Sequence, residues 1–282
     1  MNNIQVSIII PCYNQGKYLL DAIQSLAAID KNTVEVIIIN DGSSEIVTLN
    51  ILKDLQTGGF HVIHQDNKGL GAARNTGIRE AVGRFILPLD ADNKITLDYI
   101  TKGLTIMDMD AEVAVVYGNA QYFGDRNDIL VPGLFNLQKL MLGNFIDACA
   151  MIRRDVIIKV GMYDNMKIMG LEDWDLWLRI AFRGYKFSYV NEVLFFYRVS
   201  DSSMMKSVNR NIAAQNELEK YFQIKYADKL DFDLVENTVL YRAKKKPFNF
   251  FYRLFLKKFF PAYYGRLTDT NKIYRGNLYG RS

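Results

Sequence analysis

The sequence predicts an α/β fold in which helices flank a mostly parallel sheet. Three observations support this. Short, nearly all-apolar runs rich in Val and Ile alternate with segments of helical periodicity, as buried parallel strands and their crossover helices do. A cluster of polar residues follows each run, and an apolar fraction of 49% over 282 residues is ample for a core. The first four strands are expected at Val6–Ile10, Val34–Ile39, Phe60–His64 and Arg84–Leu89.

The connecting segments have helical spacing. Leu19, Ala22, Ile23 and Leu26 mark the apolar face of the first helix, and further helices are expected at 45–56 and 72–82. No repeat or low-complexity linker interrupts residues 1–200, which we interpret as one continuous domain. Beyond residue 95, helices are expected at 96–109, 137–142 and 154–160, and a further helix begins at about residue 169 and ends before Gly184. Strands are expected at 113–117 and 148–152, followed by a strand pair at 185–190 and 193–199. Residues 118–133 are expected to be irregular, with a hairpin-like turn at 124–127.

Composition excludes several classes of protein. The two cysteines, Cys12 and Cys149, lack the spacing of a metal site, so a reduced, cytoplasmic protein is expected. Two histidines are too few for a histidine-rich zinc centre. The N-terminal residues lack the layout of a signal peptide, and no apolar run reaches the roughly 18 residues that span a bilayer.

Charge is divided unevenly along the chain. Residues 1–200 contain 19 Lys and Arg against 23 Asp and Glu, a net charge of −4, whereas residues 201–282 contain 16 against 8, a net charge of +8. The two parts are therefore expected to have different roles.

The polar clusters are expected to meet at one edge of the sheet. Right-handed crossovers bring every strand-to-helix loop to the same side, and open α/β sheets bind ligands there. The clusters are Tyr13-Asn14, Asp41-Gly42-Ser43, Asn67-Lys68-Gly69 and the pair Asp90 and Asp92. Their convergence predicts a binding site.

Asp90 and Asp92 end the apolar run 85–89 with an i, i+2 spacing, which directs both side chains to one side of an extended backbone. Two hard oxygen donors at such a position suit Mg²⁺ or Mn²⁺, which usually take one or two protein carboxylates and share phosphate oxygens with a substrate. Asp-x-Asp alone is a weak signal, because most such pairs are solvated loop acids or helix caps. The position at the sheet edge favours the metal site here.

Together these residues resemble the family 2 glycosyltransferases, whose nucleotide-sugar-binding fold is the Rossmann-like GT-A fold. The motifs occur in the family's order and cover about residues 4 to 200. They are Val6-Ser7-Ile8-Ile9-Ile10-Pro11-Cys12-Tyr13-Asn14, Asn40-Asp41-Gly42-Ser43, Asn67-Lys68-Gly69 with Ala73-Arg74-Asn75 and Gly77, Leu89-Asp90-Ala91-Asp92, and Glu172-Asp173. Their succession is specific for the family, but not for the sugar or the acceptor.

The resemblance implies a set of nucleotide-sugar contacts. Asp41 would accept the ring N–H of uracil; the alternative is that Asp41 to Ser44 only cap the next helix. Arg74 would pair with phosphates; the alternative is an ordinary surface salt bridge. The full set is Pro11, Tyr13, Asn14, Asp41, Asn67, Lys68, Gly69, Arg74, Asp90 and Ala91.

The resemblance also implies the metal ligands and the base. Asp92 would ligate Mn²⁺ or Mg²⁺ directly, and Asp90 would contact the ribose, or the metal through water. Relatives frequently have a histidine a few residues after the strand that contains Tyr197 and Arg198, but Tyr197–Asp201 contains none. Glu172-Asp173 occupies the place of the catalytic base, for which we select Asp173; the alternative is that these acids only favour a helix N-terminus. Trp174 and Trp177 are expected in the core.

These observations predict an inverting, metal-dependent glycosyltransferase of hexosyl or N-acetylhexosaminyl type. The donor would be a UDP-sugar, and the acceptor a hydroxyl of a glycan or a lipid-linked glycan, as in bacterial surface polysaccharide synthesis. Residues 1–205 would form the GT-A catalytic domain, with a nucleotide-sugar half at about 1–95 and an acceptor half at about 96–205. Two alternatives stay open: a sugar-phosphate nucleotidyltransferase, although a Gly-rich phosphate loop is missing after the first strand, and a catalytically silent sugar- or lipid-binding module.

Residues 206–282 are predicted to form a helical, basic and aromatic extension. Tyr241–Thr268 contains eight Lys and Arg, no Asp or Glu, and ten aromatic residues. This predicts a helix at the inner face of an anionic cell membrane; the alternative is docking on the catalytic domain. Nucleic acid is not an expected partner. The apolar positions Phe248, Phe251, Tyr252, Phe255, Leu256 and Phe259 share one helical face, and Pro261 would close the helix.

Overall fold

The structure, a computed structural model, describes residues 3–166, 170–200, 212–229, 247–260 and 263–264. The chain divides into two compact units. The first comprises Met1–Phe135 with Ile146–Val199, and the second Asn136–Phe145 with Ser200–Ser282. The division after Val199 lies near the predicted boundary at residue 205, whereas the grouping of 136–145 with the C-terminal residues differs from the continuous domain expected for 1–200.

The first half of the first unit is a run of parallel βαβ units, as predicted. The strands lie in the order β3-β2-β1-β4 and pair in parallel. All seven residues of β1 are buried, since helices cover both faces of the sheet. The elements are β1 (Val6–Cys12), α1 (Gly16–Ser25), β2 (Val34–Asp41), α2 (Ile46–Thr57), β3 (His61–Gln65), α3 (Leu70–Glu80) and β4 (Phe85–Pro88).

The second half adds antiparallel pairing to the sheet. β8 lies between β4 and β6 and is antiparallel to both, so the nine strands of the described residues form one mixed sheet. The order continues as β4-β8-β6-β9-β5, with β7 paired to β6. The elements are β5 (Lys94–Ile95), α4 (Leu97–Met109), β6 (Val113–Gly124), β7 (Ile129–Leu130), α5 (Leu137–Leu142, in the second unit), β8 (Met151–Arg153), α6 (Arg154–Lys159), α7 (Glu172–Ala181) and β9 (Lys186–Val199).

Three predicted elements differ from the structure. The region expected to be irregular after Tyr117 continues β6 as far as Gly124, and the turn that follows returns to β7 as a hairpin. The expected strand pair is one strand, β9, because two extra residues opposite Gly118 and Asn119 are absorbed as a bulge instead of a turn. The strand expected from residue 148 forms only at β8, since the Ala150 N–H bonds the Ala148 carbonyl in a tight turn.

Among its described residues, the second unit contains α5 and two further helices, α8 (Ile212–Lys225) and α9 (Pro247–Phe259). Phe222 of α8 is buried and stacks on Tyr226 at 5.9 Å between ring centroids. The predicted C-terminal helix is confirmed over α9, while 241–246, Pro261 and 265–268 lie outside the described residues. No helix within the described ranges has the length and apolarity needed to cross a membrane.

Candidate active site

Side-chain and backbone hydrogen bonds join the loops at the carboxyl ends of the first strands. Asn14, after β1, adopts a positive φ of 53°, and its Oδ1 accepts the N–H groups of Ser44 (2.8 Å) and Glu45 (3.0 Å) after β2. The Asn14 N–H donates to Ser43 Oγ at 3.0 Å. The predicted convergence of these loops is therefore observed.

Asp41 is buried and binds the loop after β3. Its Oδ1 accepts hydrogen bonds from Gln65 Nε2 (2.7 Å) and the Lys68 N–H (2.9 Å), and its Oδ2 accepts the Gly69 N–H (2.9 Å). Helix α2 begins later, at Ile46, so the alternative in which Asp41 caps that helix is wrong. A carboxylate has about four acceptor positions, and three are occupied. These bonds fix the Asp41 carboxylate against the loop after β3.

A glycine is required where these two loops touch. Gly42 has a φ of +71°, and a Cβ atom there would lie 2.6 Å from the Asn67 backbone nitrogen. Only glycine meets both conditions. Tyr13, Asn67 and Lys68 are exposed at this edge and accessible to a ligand, whereas Pro11 and Ala91 are buried. The latter two border the site as backbone.

Arg74 lies inside the site and not on the surface, so the alternative of an ordinary surface salt bridge is wrong. Its side chain is only 2% exposed. Nη2 donates to Asp90 Oδ1 at 2.7 Å, and Nη1 donates to Glu172 Oε1 at 3.1 Å. The guanidinium also lies over the Tyr163 ring, 5.2 Å from its centroid. Arg74 thus connects the Asp-x-Asp motif to the Glu-Asp motif, with each Nη group on a carboxylate.

Asp90 and Asp92 lie directly after β4, where they were predicted. Burial, followed by the charge of Asp90, raises the pKa of Asp92 to about 7. Crowded carboxylates of this kind fit a divalent cation, whose charge offsets their repulsion. The described residues contain no group of three or more His, Cys, Asp or Glu that could hold a metal ion.

Arg198 supports the Asp92 loop, a role that the sequence did not indicate. Its backbone N–H donates to Asn93 Oδ1 (2.9 Å), its Nε donates to the Asp92 carbonyl (3.1 Å), and its Nη2 bonds Asp21 Oδ2 (2.6 Å). The guanidinium also lies 4.4 Å from the Tyr18 ring centroid. Arg198 fixes the shape of the loop and brings a positive charge close to it.

The two acids at the start of α7 have different environments. Glu172 is buried and engaged by Arg74 and by the Gly170 N–H at 2.7 Å. Asp173 is half-buried, and its Oδ1 accepts the Trp174 N–H at 2.8 Å. Burial, then the charges of Glu172 and Asp147, raise the pKa of Asp173 to about 8. A carboxylate with a raised pKa is a candidate general base, and the ion pair with Arg74 holds Glu172 in place.

The tryptophans of α7 belong to the core, as predicted. Trp174 and Trp177 are fully buried, and Trp177 Nε1 donates to the Ile146 carbonyl at 3.1 Å. Asp175, also fully buried, forms an ion pair with Arg179 at 2.8 Å. These residues hold α7 against the sheet and leave Asp173 at its accessible end.

Asp147 is a site residue that sequence reasoning missed. It is half-buried, and burial followed by the charge of Asp90 raises its pKa to about 6. Its negative charge contributes to the raised pKa values of Asp92 and Asp173. No sequence pattern in 118–170 pointed to it, since its neighbours come from distant parts of the chain.

Comparison with known proteins identifies the family. The family model described as glycosyl transferase family 2 matches residues 7–161. The uncharacterized glycosyltransferase RP339 of Rickettsia prowazekii is 26% identical over 228 residues, covering 77% of this chain and 69% of the relative. The putative glycosyltransferase EpsH of Bacillus subtilis is 39% identical over 101 residues, covering 35% of this chain and 29% of the relative.

Solved structures share the fold. The crystal structure of S. aureus TarS 1–349 superposes with a TM-score of 0.58 at 19% identity and covers 76% of this chain, and this chain spans 65% of TarS 1–349. Its complex with UDP-GlcNAc gives a TM-score of 0.59 at 18% identity, with 76% and 66% of the two chains covered. This likeness confirms the predicted GT-A type of fold. With the family model matching more than half of its length, the chain belongs to glycosyl transferase family 2, and the protein is a glycosyltransferase.

Proposed function

We propose that the protein is an inverting, metal-dependent glycosyltransferase that moves a sugar from a UDP-sugar to a hydroxyl of a glycan or a lipid-linked glycan. The observation that carries this proposal is that two sets of carboxylates in different environments are connected within one site. Two carboxylates suited to a cation follow β4, and a half-buried carboxylate with a pKa near neutrality begins α7. Arg74 bridges the two motifs.

Asp173 would act as the general base. Its carboxylate removes the proton of the acceptor hydroxyl as that oxygen attacks the anomeric carbon, and the nucleoside diphosphate leaves from the opposite face. Mn²⁺ or Mg²⁺ held by Asp92 and Asp90 would supply Lewis-acid stabilisation of the leaving diphosphate. Both thiols are buried, and burial raises the pKa of Cys12 to about 11, so neither is an activated nucleophile. This favours single displacement over a covalent intermediate.

The donor and the acceptor are proposed from chemistry and resemblance. The remaining acceptor position of Asp41, at the carboxyl end of β2, suits the ring N–H of uracil. Structures of TarS, which shares the fold, include complexes with UDP-GlcNAc and with UDP. We therefore propose that a hexosyl or N-acetylhexosaminyl group is transferred, and that the enzyme takes part in the synthesis of a bacterial surface polysaccharide. Family membership favours transfer over the nucleotidyltransferase and binding-module alternatives.

The test combines donor binding with the metal. UDP with Mn²⁺ should raise the Tm of the wild-type protein, and a UDP-sugar should be slowly hydrolysed. Asp92→Asn should abolish metal-dependent UDP binding and leave the fold intact, since a loop carboxylate contributes little to the core. Asp108→Asn, which changes an exposed acid paired with Arg84, is the matched control and should bind as the wild type does. Full transfer in EDTA, or unchanged UDP affinity in Asp92→Asn, would contradict the metal assignment.

We also propose that α9 attaches the protein to the anionic inner face of the cell membrane. Phe248 is 90% exposed, and Phe251, Tyr252, Phe255 and Phe259 are each at least half exposed. Leu256, predicted on the same face, is buried instead. Tyr241–Thr268 contains eight cations and no acid, which complements anionic headgroups, and each Lys or Arg near such a surface contributes about 1 kcal/mol. A lipid-linked acceptor would suit this location.

Cosedimentation with vesicles tests the attachment. The full chain should sediment with phosphatidylserine-containing vesicles at low salt, and should not do so with purely zwitterionic vesicles. A chain ending at Leu240 should lose this binding, as should the full chain carrying Phe251→Ser and Phe255→Ser. Equal sedimentation of the full and shortened chains would exclude the membrane proposal and favour docking of the tail on the catalytic domain.

A further inference from the structure

A third carboxylate in the site has no task in the mechanism above. We propose that Asp147 binds the transferred sugar, its carboxylate accepting a hydrogen bond from a hydroxyl group of the donor's sugar ring. The inference rests on the proposed transfer from a nucleotide sugar and assigns the residue that recognises the sugar itself.

The sheet topology places Asp147 beside the metal motif. β8 is antiparallel to β4, with Phe85 opposite Arg153 and Ile86 opposite Ile152. The segment that precedes β8 and the segment that follows β4 therefore lie at the same end of this strand pair. Asp147 lies in the former, and Asp90 and Asp92 lie in the latter.

One oxygen of the Asp147 carboxylate accepts a backbone hydrogen bond, and the other can accept one from a ligand. Its Oδ1 accepts the Cys149 N–H at 2.9 Å, and no residue within the described ranges donates a hydrogen bond to Oδ2. The residues on either side, Ile146 and Ala148, are buried, and the Ile146 carbonyl is fixed by Trp177. The half-buried carboxylate is thus an acceptor held in place by its surroundings.

Charge determines which part of the donor this acceptor suits. Arg74 joins Asp90, beside which the diphosphate would leave, to Glu172, the neighbour of Asp173, where the acceptor would attack. The sugar must lie between those two points. A carboxylate repels a diphosphate but accepts hydrogen bonds from hydroxyls, so the sugar ring is the part it would bind. Asp147 does not join Asp90 and Asp92 in a three-carboxylate metal site among the described residues.

The test compares binding of UDP with binding of UDP-sugars in the presence of Mn²⁺, measured by isothermal titration calorimetry on the full chain. UDP-glucose, UDP-galactose and UDP-N-acetylglucosamine are the probes. In Asp147→Asn the side-chain oxygen can still accept the Cys149 N–H, so only the charged acceptor is lost. We expect the Kd for the preferred UDP-sugar to rise roughly 10-fold or more, as for a lost hydrogen bond to a charged group, and the Kd for UDP to change less than about twofold.

Two further variants complete the design. Asp147→Ser retains a hydroxyl acceptor for the Cys149 N–H and serves if the Asn variant does not fold. Asp108→Asn, the same change at an exposed acid outside the site, should bind both ligands as the wild type does.

Three outcomes would overturn the inference, and they are distinguishable. Equal weakening of UDP and UDP-sugar binding would place Asp147 at the metal or diphosphate. Unchanged affinity for both would remove it from donor binding. If the wild-type protein binds neither UDP nor any UDP-sugar with Mn²⁺, the proposed function fails and the inference fails with it.

Discussion

Two neighbouring carboxylates on one helical turn differ because their partners differ. Glu172 is buried and paired with Arg74, whereas at Asp173 burial raises the pKa more than the charge of Arg74 lowers it. We therefore expect Glu172 to position its neighbours and Asp173 to exchange a proton with the acceptor. This difference can be measured in activity and in stability.

The pH dependence of kcat/KM should report Asp173. A general base must be ionised in the free enzyme, so kcat/KM should rise with pH through the Asp173 pKa of about 8. Asp173→Asn should lower transfer by ~10²–10⁴-fold and abolish this dependence, while UDP binding survives. The measurement is the initial rate of transfer or hydrolysis between pH 5.5 and 9.5. If Asp173→Asn transfers normally and Glu172→Gln is inactive, the base is Glu172.

The raised pKa of Asp173 should also cost stability at high pH. In the folded protein this carboxyl binds its proton up to about pH 8, whereas the unfolded chain releases it near the ordinary aspartate pKa of 3.8. Folding therefore takes up a proton between these values, and stability falls as the pH rises through that window. The Tm of Asp173→Asn relative to the wild type should increase from pH 5 to pH 8. A Tm difference that stays constant across this range would contradict the pKa assignment.

At the scale of elements, Arg74 joins α3 to the loop after β4 and to the start of α7. Removing the cation leaves two carboxylates, one of them buried, without their partner. Arg74→Ala should lower the free energy of unfolding by about 3–5 kcal/mol, the cost of breaking a buried ion pair on one side. Arg84→Ala removes an exposed pair with Asp108 and should cost about 0–1 kcal/mol. Urea titration measures the free energy of unfolding of both variants. Equal losses would show that the buried ion pairs of Arg74 stabilise the fold no more than the exposed pair of Arg84 does.

At the scale of the whole molecule, every site residue discussed above belongs to the first unit, Met1–Phe135 with Ile146–Val199. Donor binding should therefore be independent of α9, which belongs to the second unit. A chain ending at Leu240 should bind UDP with Mn²⁺ with the Kd of the full chain, and show the same Tm shift. A Kd raised tenfold by the truncation would assign part of the donor site to the C-terminal residues.

The sequence by itself determined the order of the first four strands and of the helices between them, and it predicted that their polar loops converge. Strands such as β1 and β2 are encoded by local apolar runs, and parallel crossovers then force the polar loops to one edge. The motifs in those loops were enough to identify the family, the Asp-x-Asp pair and the Glu-Asp pair. Local periodicity and motif order carry this information, since both are properties of neighbouring residues.

Only the tertiary structure decided which side chains meet. Arg74 and Glu172 are 98 positions apart, and nothing in either segment indicates their ion pair. The single strand β9, the support of Asp92 by Arg198 and the place of Asp147 also depend on distant contacts. A bulge can absorb residues that would otherwise form a turn, and charge pairing in the interior is set by packing. Such interactions produce no periodic pattern in the sequence, so only the folded structure shows them.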